Sequence, residues 1–237
     1  MHAFTASSTA SGTAPTTPRA KDEARLVDTN PVAGVAHPRT TGRGRKALVT
    51  PEQHARVLAA VKSRGLREML VALENTGARP GELYAASAAD WGDEDGAIVY
   101  HAADARREDE YAHKNAGQGK DRVIFFTGDA LAMMRELVRR RPTGTLFRTR
   151  RGGAWDTATL NSVVAAVRKR VGLPHLVPYS YRHSFITAPI KAGNTAEIVA
   201  EWVGNSPATI YKHYLHLFAD RAHLRSQLKA FRSGGEK

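Results

Sequence analysis

The sequence predicts a mostly α-helical fold with a small antiparallel β-sheet, and three observations lead to that prediction. Apolar residues recur at helical spacing in several stretches, as in Leu66, Met69, Leu70 and Leu73. Polar capping residues stand in front of those stretches. Between residues 97 and 126, short runs rich in β-branched and aromatic residues alternate with turn-forming segments, which is typical of a small sheet.

The predicted domain opens with two helices. Thr50 and Gln53 can form a capping box with Pro51 at the first helical position, so the first helix begins there and runs to about Val61. The second helix ends at residues 75–77, because glycine at its end tolerates the left-handed conformation that terminates helices.

The predicted sheet and the remaining helices follow in order. Three strands are expected at Ala97–His101, Glu110–Lys114 and Arg122–Phe126, with a hairpin tip over 115–121. The rest of the chain is predicted to be helical, over residues 129–141, from a cap at Asp156 to Val171, and over 181–192, 195–203, 207–214 and 220–231.

Composition limits the class of protein. We expect a disordered leader over 1–48, one domain over 49–219 and a tail helix over 220–237. The chain has no cysteine, which excludes disulfides and thiolate metal sites. It has no run of 18 apolar residues and no apolar leader, so we expect a cytoplasmic protein without a membrane partner.

The charge balance indicates a polyanionic partner. The formal net charge is +12, and nucleic acid is the most common partner of so basic a chain. Arginine dominates one short stretch, with six arginines between residues 139 and 151. Its planar guanidinium matches phosphate geometry with two parallel hydrogen bonds.

Three separated segments contain the polar and charged side chains that could take part in catalysis. Residues 76–83 (TGARPGEL) form a turn into a short helix and place Arg79 at its start. Residues 178–185 (PYSYRHSF) bring an arginine and a histidine together. Residues 203–216 (VGNSPATIYKHYLH) contain two tyrosines, of which Tyr214 lies nine residues after Asn205 and Tyr211 only six.

In order and spacing, these segments resemble the catalytic domain of the tyrosine recombinases, the phage integrase family. The family patterns are G-x-R-x-x-E-L, H-x-x-R-H-[ST]-F and L-G-H-x-S-x-x-T-x-x-x-Y. The resemblance implies that Arg79 and Arg182 are the two catalytic arginines and that His183 is the histidine after the second. It implies that Tyr214 is the nucleophile and that Glu82 holds Arg79 in place.

The chain departs from the family patterns at two positions. Tyr179 stands where the family pattern has histidine. Asn205 stands where the family has histidine or tryptophan. Both can donate a hydrogen bond to a phosphate oxygen, although Asn205 cannot ionise and Tyr179 is a poor base near neutral pH. The family also has a hairpin lysine that protonates the leaving oxygen; Lys114 is the first candidate and Lys120 the alternative.

The resemblance implies a metal-free and ATP-free reaction on double-stranded DNA. Two arginines would bind the phosphate oxygens, and nearby positive charge should favour the phenolate of Tyr214. Tyr214 would form a 3′-phosphotyrosine, so no cofactor is expected. Four protomers would assemble on two duplexes, with the tail helix docking on a neighbour or on its own domain. Arg43, Arg45 and Lys46 would contact DNA phosphates, unless the leader is only a solvated tail.

Other functions remain open at this point. The departures at Tyr179 and Asn205 are also compatible with a degenerate, truncated DNA-binding remnant of the same fold. A helix-turn-helix regulator built from 195–214 would leave residues 76–83 and the hairpin unexplained. A type IB topoisomerase would use related chemistry as a monomer. The target site, and the choice between integration, excision and resolution, do not follow from the sequence.

Overall fold

The computed structural model describes residues 48–102 and 119–218, together with 224–226, 228, 229 and 232 of the tail. The predicted fold class is confirmed: the described part is mostly helical with a small antiparallel sheet. Its elements are α1 Pro51–Ala60, α2 Arg64–Thr76, α3 Pro80–Tyr84, β1 Trp91–Gly92, β2 Ala97–Tyr100, β3 Arg122–Phe125, α4 Gly128–Arg140, α5 Thr157–Val171, α6 Pro178–Lys191, α7 Ala196–Val203 and α8 Pro207–Phe218.

Local capping chemistry determines where the helices begin and end. The capping box of α1 is confirmed, with Gln53 N donating to Thr50 Oγ1 at 3.2 Å and Thr50 N donating to Gln53 Oε1 at 3.1 Å. Helix α2 ends at Gly77 with a φ of 58°. Helix α6 begins at Pro178, three residues before the expected start at Tyr181, because proline is well suited to the first turn of a helix.

The described sheet has three antiparallel strands in the order β1-β2-β3. In the pairing of β2 with β3, Ala97 lies opposite Phe125 and Tyr100 lies opposite Arg122. Strand β1 was not predicted, because its two residues are too short to form an alternating pattern. The expected strand over 110–114 lies outside the described residues.

Two apolar clusters hold the described elements together. The larger one joins α1, α2, α4, α5 and the sheet, and includes Tyr181 from the first turn of α6. The smaller one joins the second half of α6 to α7 and α8 through Ile186, Ile190, Ile210 and Tyr214. Helix α6 therefore contributes to both clusters, and the segment between Tyr181 and Ile186 lies where they meet.

Several predictions lie outside the described residues. They concern nearly all of the leader, including Arg43, Arg45 and Lys46, the lysine Lys114, and most of the expected tail helix. Within the described part, no helix combines the length and the apolar character that crossing a membrane requires.

Candidate active site

Three hydrogen bonds hold Arg79 in its turn. It is the N-cap of α3, and its backbone N–H donates to Glu82 Oε2 at 2.8 Å. Its Nη1 donates to Glu82 Oε1 at 3.0 Å and to the carbonyl of Gly204 at 2.9 Å. The side chain is 24% exposed, so the guanidinium remains accessible to a ligand. Arg79 thus joins the start of α3 to the loop between α7 and α8.

Glu82 is the buried carboxylate beneath that turn. Besides Arg79, it binds Arg122 of β3, with Nε–Oε1 and Nη2–Oε2 distances of 3.3 and 3.4 Å. Burial alone would raise the pKa of Glu82, but Arg122 and then Arg79 outweigh it and hold that pKa below the ordinary value. Arg122 Nη1 also donates to the carbonyl of Trp202 at 3.0 Å.

Arg122 is a residue of this centre that the sequence analysis did not identify. Its residue exposure is only 4%, and it lies on the same inward face of β3 as Ile124. An arginine at an inward strand position requires a buried acidic partner, because an unpaired charge is costly in the interior. The alternation of inward and outward residues along β3 was the sequence signal that could have identified Arg122 as a buried charge. It does not indicate which acidic residue is the partner.

Arg182 is buried and only partly hydrogen-bonded. It lies on α6 with 2% of its surface exposed, and its Nη1 donates to the carbonyl of Gly77 at 2.8 Å. Within the described residues, its Nη2 is buried and has no hydrogen-bond partner. Burial, and then the nearby Arg79, lower the pKa of Arg182 to about 10, so the side chain stays cationic at neutral pH.

The next residue on α6 contacts the predicted nucleophile. His183 Nδ1 and the Tyr214 hydroxyl are 2.7 Å apart, which is a short hydrogen bond. Burial, followed by the charges of Arg182 and His213, lowers the pKa of His183, so its imidazole is neutral at pH 7. A neutral imidazole has one nitrogen that can accept a proton from the phenol.

Burial and neighbouring charge together determine the protonation of Tyr214. Burial raises the pKa of Tyr214 to about 12, with Arg182 lowering it and Tyr179 raising it further. The nearby arginine acts in the expected direction, but desolvation of the phenolate is the larger effect. Arg182 therefore favours the phenolate as expected, but burial outweighs it, so in the unliganded protein Tyr214 is a phenol that needs a proton acceptor.

Of the two positions that depart from the family patterns, Tyr179 contacts this pair, and Asn205 lies in the loop after α7. Tyr179 is 44% exposed, and its ring meets the His183 ring edge-on with centroids 5.5 Å apart. Asn205 follows the end of α7, and its side-chain Oδ1 accepts a hydrogen bond from Ser206 N at 3.2 Å. Its amide nitrogen has no hydrogen bond within the described residues and remains available as a donor.

The competing tyrosine lies away from this pair. Tyr211 is 40% exposed, and its hydroxyl donates to Glu197 Oε1 on α7 at 3.3 Å. Trp202 on α7 is 37% exposed, so its side chain is not part of the buried core. Its backbone contributes to the centre through the carbonyl that accepts from Arg122.

Lys120 lies at the edge of the centre. Its Nζ contacts both carboxylate oxygens of Glu201 on α7, at 2.6 and 2.8 Å, and both side chains are more than half exposed. Such an exposed pair holds the lysine only weakly. The described residues contain no group of three or more histidine, cysteine, aspartate or glutamate side chains suited to a metal ion.

The profile of the phage integrase family matches residues 48–221, which is most of the chain. The chain belongs to the phage integrase family. The match covers every element of this integrase domain from α1 to α8. The family match therefore also accounts for residues outside 195–214, which a helix-turn-helix regulator would leave unexplained. This finding argues against such a regulator.

Tyrosine recombinases are among the relatives of this integrase domain. One is the tyrosine recombinase XerD of Corynebacterium glutamicum, 34% identical over 113 residues, which are 44% of this chain and 37% of that protein. Another is the tyrosine recombinase XerD of Chlorobaculum tepidum, 26% identical over 234 residues, covering 89% of this chain and 69% of that protein. The first match thus spans well under half of its relative's length.

Solved structures share the fold. The XerA recombinase superposes with a TM-score of 0.58 at 21% identity, covering 86% of this chain and 69% of that one. The Tn1549 transposon integrase in complex with circular intermediate DNA gives a TM-score of 0.61 at 17% identity, covering 78% of this chain and 67% of that one. The predicted tyrosine recombinase catalytic-domain fold is confirmed.

Proposed function

We propose that the chain is a site-specific DNA recombinase that cuts and rejoins DNA through a 3′-phosphotyrosine at Tyr214. The hydrogen bond of 2.7 Å between His183 Nδ1 and the Tyr214 hydroxyl carries the proposal. It pairs the nucleophile with a neutral base next to Arg182, whose buried Nη2 has no partner within the described residues. A phosphate oxygen is the kind of acceptor that this donor lacks.

The proposed reaction begins with phosphate binding. Arg79 and Arg182 donate to the non-bridging oxygens, where negative charge increases in the transition state. The Asn205 amide and the Tyr179 hydroxyl add neutral donors in place of the family's ionisable side chains. Binding of the substrate phosphate thus satisfies the hydrogen-bonding capacity that Arg182 leaves open in the free protein.

Cleavage and rejoining are one reversible exchange. His183 accepts the phenol proton as the Tyr214 oxygen bonds to phosphorus, and the bond from phosphorus to the 5′ oxygen breaks. The leaving oxygen takes a proton and becomes a 5′-hydroxyl. In the reverse step a 5′-hydroxyl attacks the phosphotyrosine, restoring a phosphodiester and the phenol, so the proposed exchange uses neither metal nor ATP.

We propose that Lys114 supplies the proton to the leaving oxygen, with Lys120 as the alternative. Lys120 forms only an exposed ion pair with Glu201 and Lys114 lies outside the described residues, so the order of the two rests on the position of Lys114 at the end of the expected strand 110–114. Alanine at the true donor should slow cleavage by about 10²–10⁴. A substrate with sulfur in place of the 5′ bridging oxygen should restore the rate, because a thiolate leaves without a proton. Rescue of Lys120→Ala rather than Lys114→Ala would reverse the assignment.

The proposed partners are double-stranded DNA and three further copies of the chain. The Tn1549 integrase and other relatives of the fold were solved on DNA. In the tail, Leu224 and Leu228 are 53% and 55% exposed, at the spacing of one helix face. We propose that this face docks on a neighbouring protomer, in a tetramer at the nucleoid. Unchanged assembly on DNA after deletion of 220–237 would argue against the docking.

A covalent trapping experiment tests the catalytic proposal. The protein is incubated with randomised duplexes that carry a nick near the cleavage position, so that the released fragment diffuses away and religation fails. DNA-linked protein is then detected after denaturation. The adduct should form with the unaltered chain and with Tyr211→Phe, and should be absent with Tyr214→Phe. Tyr211 is the matched control because it lies on the same helix with an exposed hydroxyl.

Two other outcomes would replace the proposal. Salt-sensitive DNA binding without an adduct on any duplex would identify a degenerate DNA-binding protein and would implicate Tyr179 and Asn205. An adduct accompanied by relaxation of supercoiled plasmid, with no joint products between two duplexes, would identify a topoisomerase activity instead.

A further inference from the structure

The six arginines between residues 139 and 151 fall into two groups in the structure. Four of them are held by other groups of the protein: Arg139 by Glu136 at 2.6 Å, Arg140 and Arg141 by Glu68 at 2.8 and 3.3 Å, and Arg148 by the carbonyls of Thr145 and Thr143 at 3.0 and 2.8 Å. Arg150 and Arg151 are exposed and have no hydrogen bond or ion pair within the described part of the chain.

These two arginines form the tip of a tight hairpin. Arg148 and Ala154 pair across its base, and Thr149 N donates to the carbonyl of Gly153 at 2.8 Å. Gly152 N donates to the carbonyl of Thr149 at 3.0 Å, which closes a four-residue turn with the arginines at its two central positions. Gly152 has a φ of 86°, which closes the hairpin with a residue that favours positive φ.

The base of the hairpin lies beside the end of α3. Leu146 N donates to the carbonyl of Ala86 at 2.7 Å, and Thr145 pairs with Ser87. On the other arm, Thr157 hydrogen-bonds the side chain of Tyr84, the last residue of α3. Both arms are therefore anchored a few residues beyond Arg79, which lies at the start of the same short helix.

Chain geometry limits the distance from Arg79 to the tip. Five helical residues span about 7.5 Å at 1.5 Å each. Six extended residues from Thr157 back to Arg151 span at most about 20 Å at 3.3 Å each. The Tyr84 side chain and its hydrogen bond to Thr157 add about 12 Å, so the tip lies within about 40 Å of Arg79, which corresponds to about twelve base pairs at 3.4 Å per step.

We propose that Arg150 and Arg151 are a second phosphate-binding site, which binds the backbone of the duplex within about twelve base pairs of the cut. This proposal depends on DNA being the substrate, as proposed above, but it does not depend on the proposed cleavage step. A turn held by its own hydrogen bonds presents both guanidiniums at little further cost in backbone entropy. Contacts to phosphate carry no base information, so the site contributes affinity and register rather than sequence choice.

Salt-dependent binding tests the site. Fluorescence anisotropy of a labelled duplex is measured over a series of salt concentrations for the unaltered chain, for Arg150→Ala with Arg151→Ala, and for Lys62→Ala with Lys169→Ala. The last pair removes the same charge from exposed positions beyond α1 and in the last turn of α5. Urea unfolding of all three proteins checks that each variant is folded.

The arginine variant should lose about 1.8 from the slope of log K against log salt, since each phosphate contact contributes about 0.9. That loss corresponds to about 60-fold weaker binding at 0.1 M salt. The lysine variant should bind like the unaltered chain. Equal slopes for the arginine variant and the unaltered chain would overturn the proposal, and so would an equal loss in the lysine variant. Adduct formation by the unaltered chain on the same duplex reports separately on the cleavage proposal.

Discussion

Glu82 and Arg182 are two buried charges of the same centre that differ in how their hydrogen bonds are satisfied. Glu82 accepts from the side chains of Arg79 and Arg122 and from a backbone N–H. Arg182 makes one hydrogen bond, to the carbonyl of Gly77, and leaves Nη2 unpaired within the described residues. Removing the partner of a satisfied buried charge destabilises a structure, whereas a buried donor without a partner is available to a ligand. The two residues should therefore fail in different assays.

The largest effect should follow from neutralising Glu82. Glu82→Gln leaves the buried guanidinium of Arg122 without its counter-charge, which should cost about 3–5 kcal/mol in the free energy of unfolding. Urea denaturation measures it, and Glu136→Gln, on a partly exposed carboxylate paired with Arg139 and Arg140, should change the midpoint much less. Because the pKa of Glu82 is lowered in the folded protein, this stabilisation is present at neutral pH and lost as pH falls through that pKa.

Replacing the second arginine should reverse that pattern. Arg182→Lys keeps the charge but loses the fork of donors, so adduct formation should slow by about 10²–10³, which is about 3–4 kcal/mol of transition-state stabilisation. Unfolding in urea should change much less than for Glu82→Gln. Arg135→Lys, at an exposed arginine paired with Asp93, is the control. A large stability loss with normal cleavage in Arg182→Lys would show that the two buried charges play the same role.

Alanine variants of two glycines distinguish the cost of backbone strain from the cost of a clash with Arg122, the partner of Glu82. Gly172 and Gly204 both end helices, with φ values of 66° and 62°. A Cβ at Gly172 meets nothing within 4 Å, but one at Gly204 would lie 2.4 Å from Arg122 Nε. Gly172→Ala should cost about 1–2 kcal/mol in unfolding, and Gly204→Ala more, with a loss of adduct that Gly172→Ala does not share. Equal losses in the free energy of unfolding for the two variants would mean that Arg122 moves away from the new Cβ without cost.

The smallest expected effect is a shift in pH dependence. His183 must be neutral to accept the phenol proton, so cleavage should fall as pH drops through its pKa. Burial and neighbouring charge lower that pKa, so the decline should lie below pH 6.5, the ordinary histidine value. His213→Gln removes one of those charges and should move the decline to higher pH, measured by single-turnover trapping. An unchanged profile would show that His213 has little influence on the pKa that governs cleavage, whereas cleavage by the unaltered chain that does not decline below pH 6.5 would argue against His183 as the base.

Patterns that depend on neighbours in sequence predicted the local structure well. The capping box at Thr50 and the glycine end of α2 were confirmed because their hydrogen bonds join residues a few positions apart. The family and fold were confirmed because three segments had to match together. The residues proposed for catalysis follow from that resemblance, and the pairing of His183 with Tyr214 supports two of them.

Features that depend on tertiary packing were not accessible in the same way. The partnership of Arg122 with Glu82 joins positions 40 apart, and nothing local to either residue specifies the other. The exposure of Trp202 on α7 likewise depends on packing, because a tryptophan in an apolar stretch does not itself show which face of the helix is buried. The raised pKa of Tyr214 could not be predicted from the sequence because burial, which the sequence does not report, outweighs the nearby arginine.

The hydrogen bond from Arg79 to the Gly204 carbonyl joins positions 125 apart, and this separation has a consequence for the order of events during synthesis. A ribosome releases Arg79, Glu82 and Arg122 long before Gly204 emerges. Until then Arg79 lacks one of its anchors and Arg122 lacks the Trp202 carbonyl. Tyr214, the proposed nucleophile, follows Gly204 by only ten residues, so the nascent chain gains the complete turn around Arg79 and this phenol almost together.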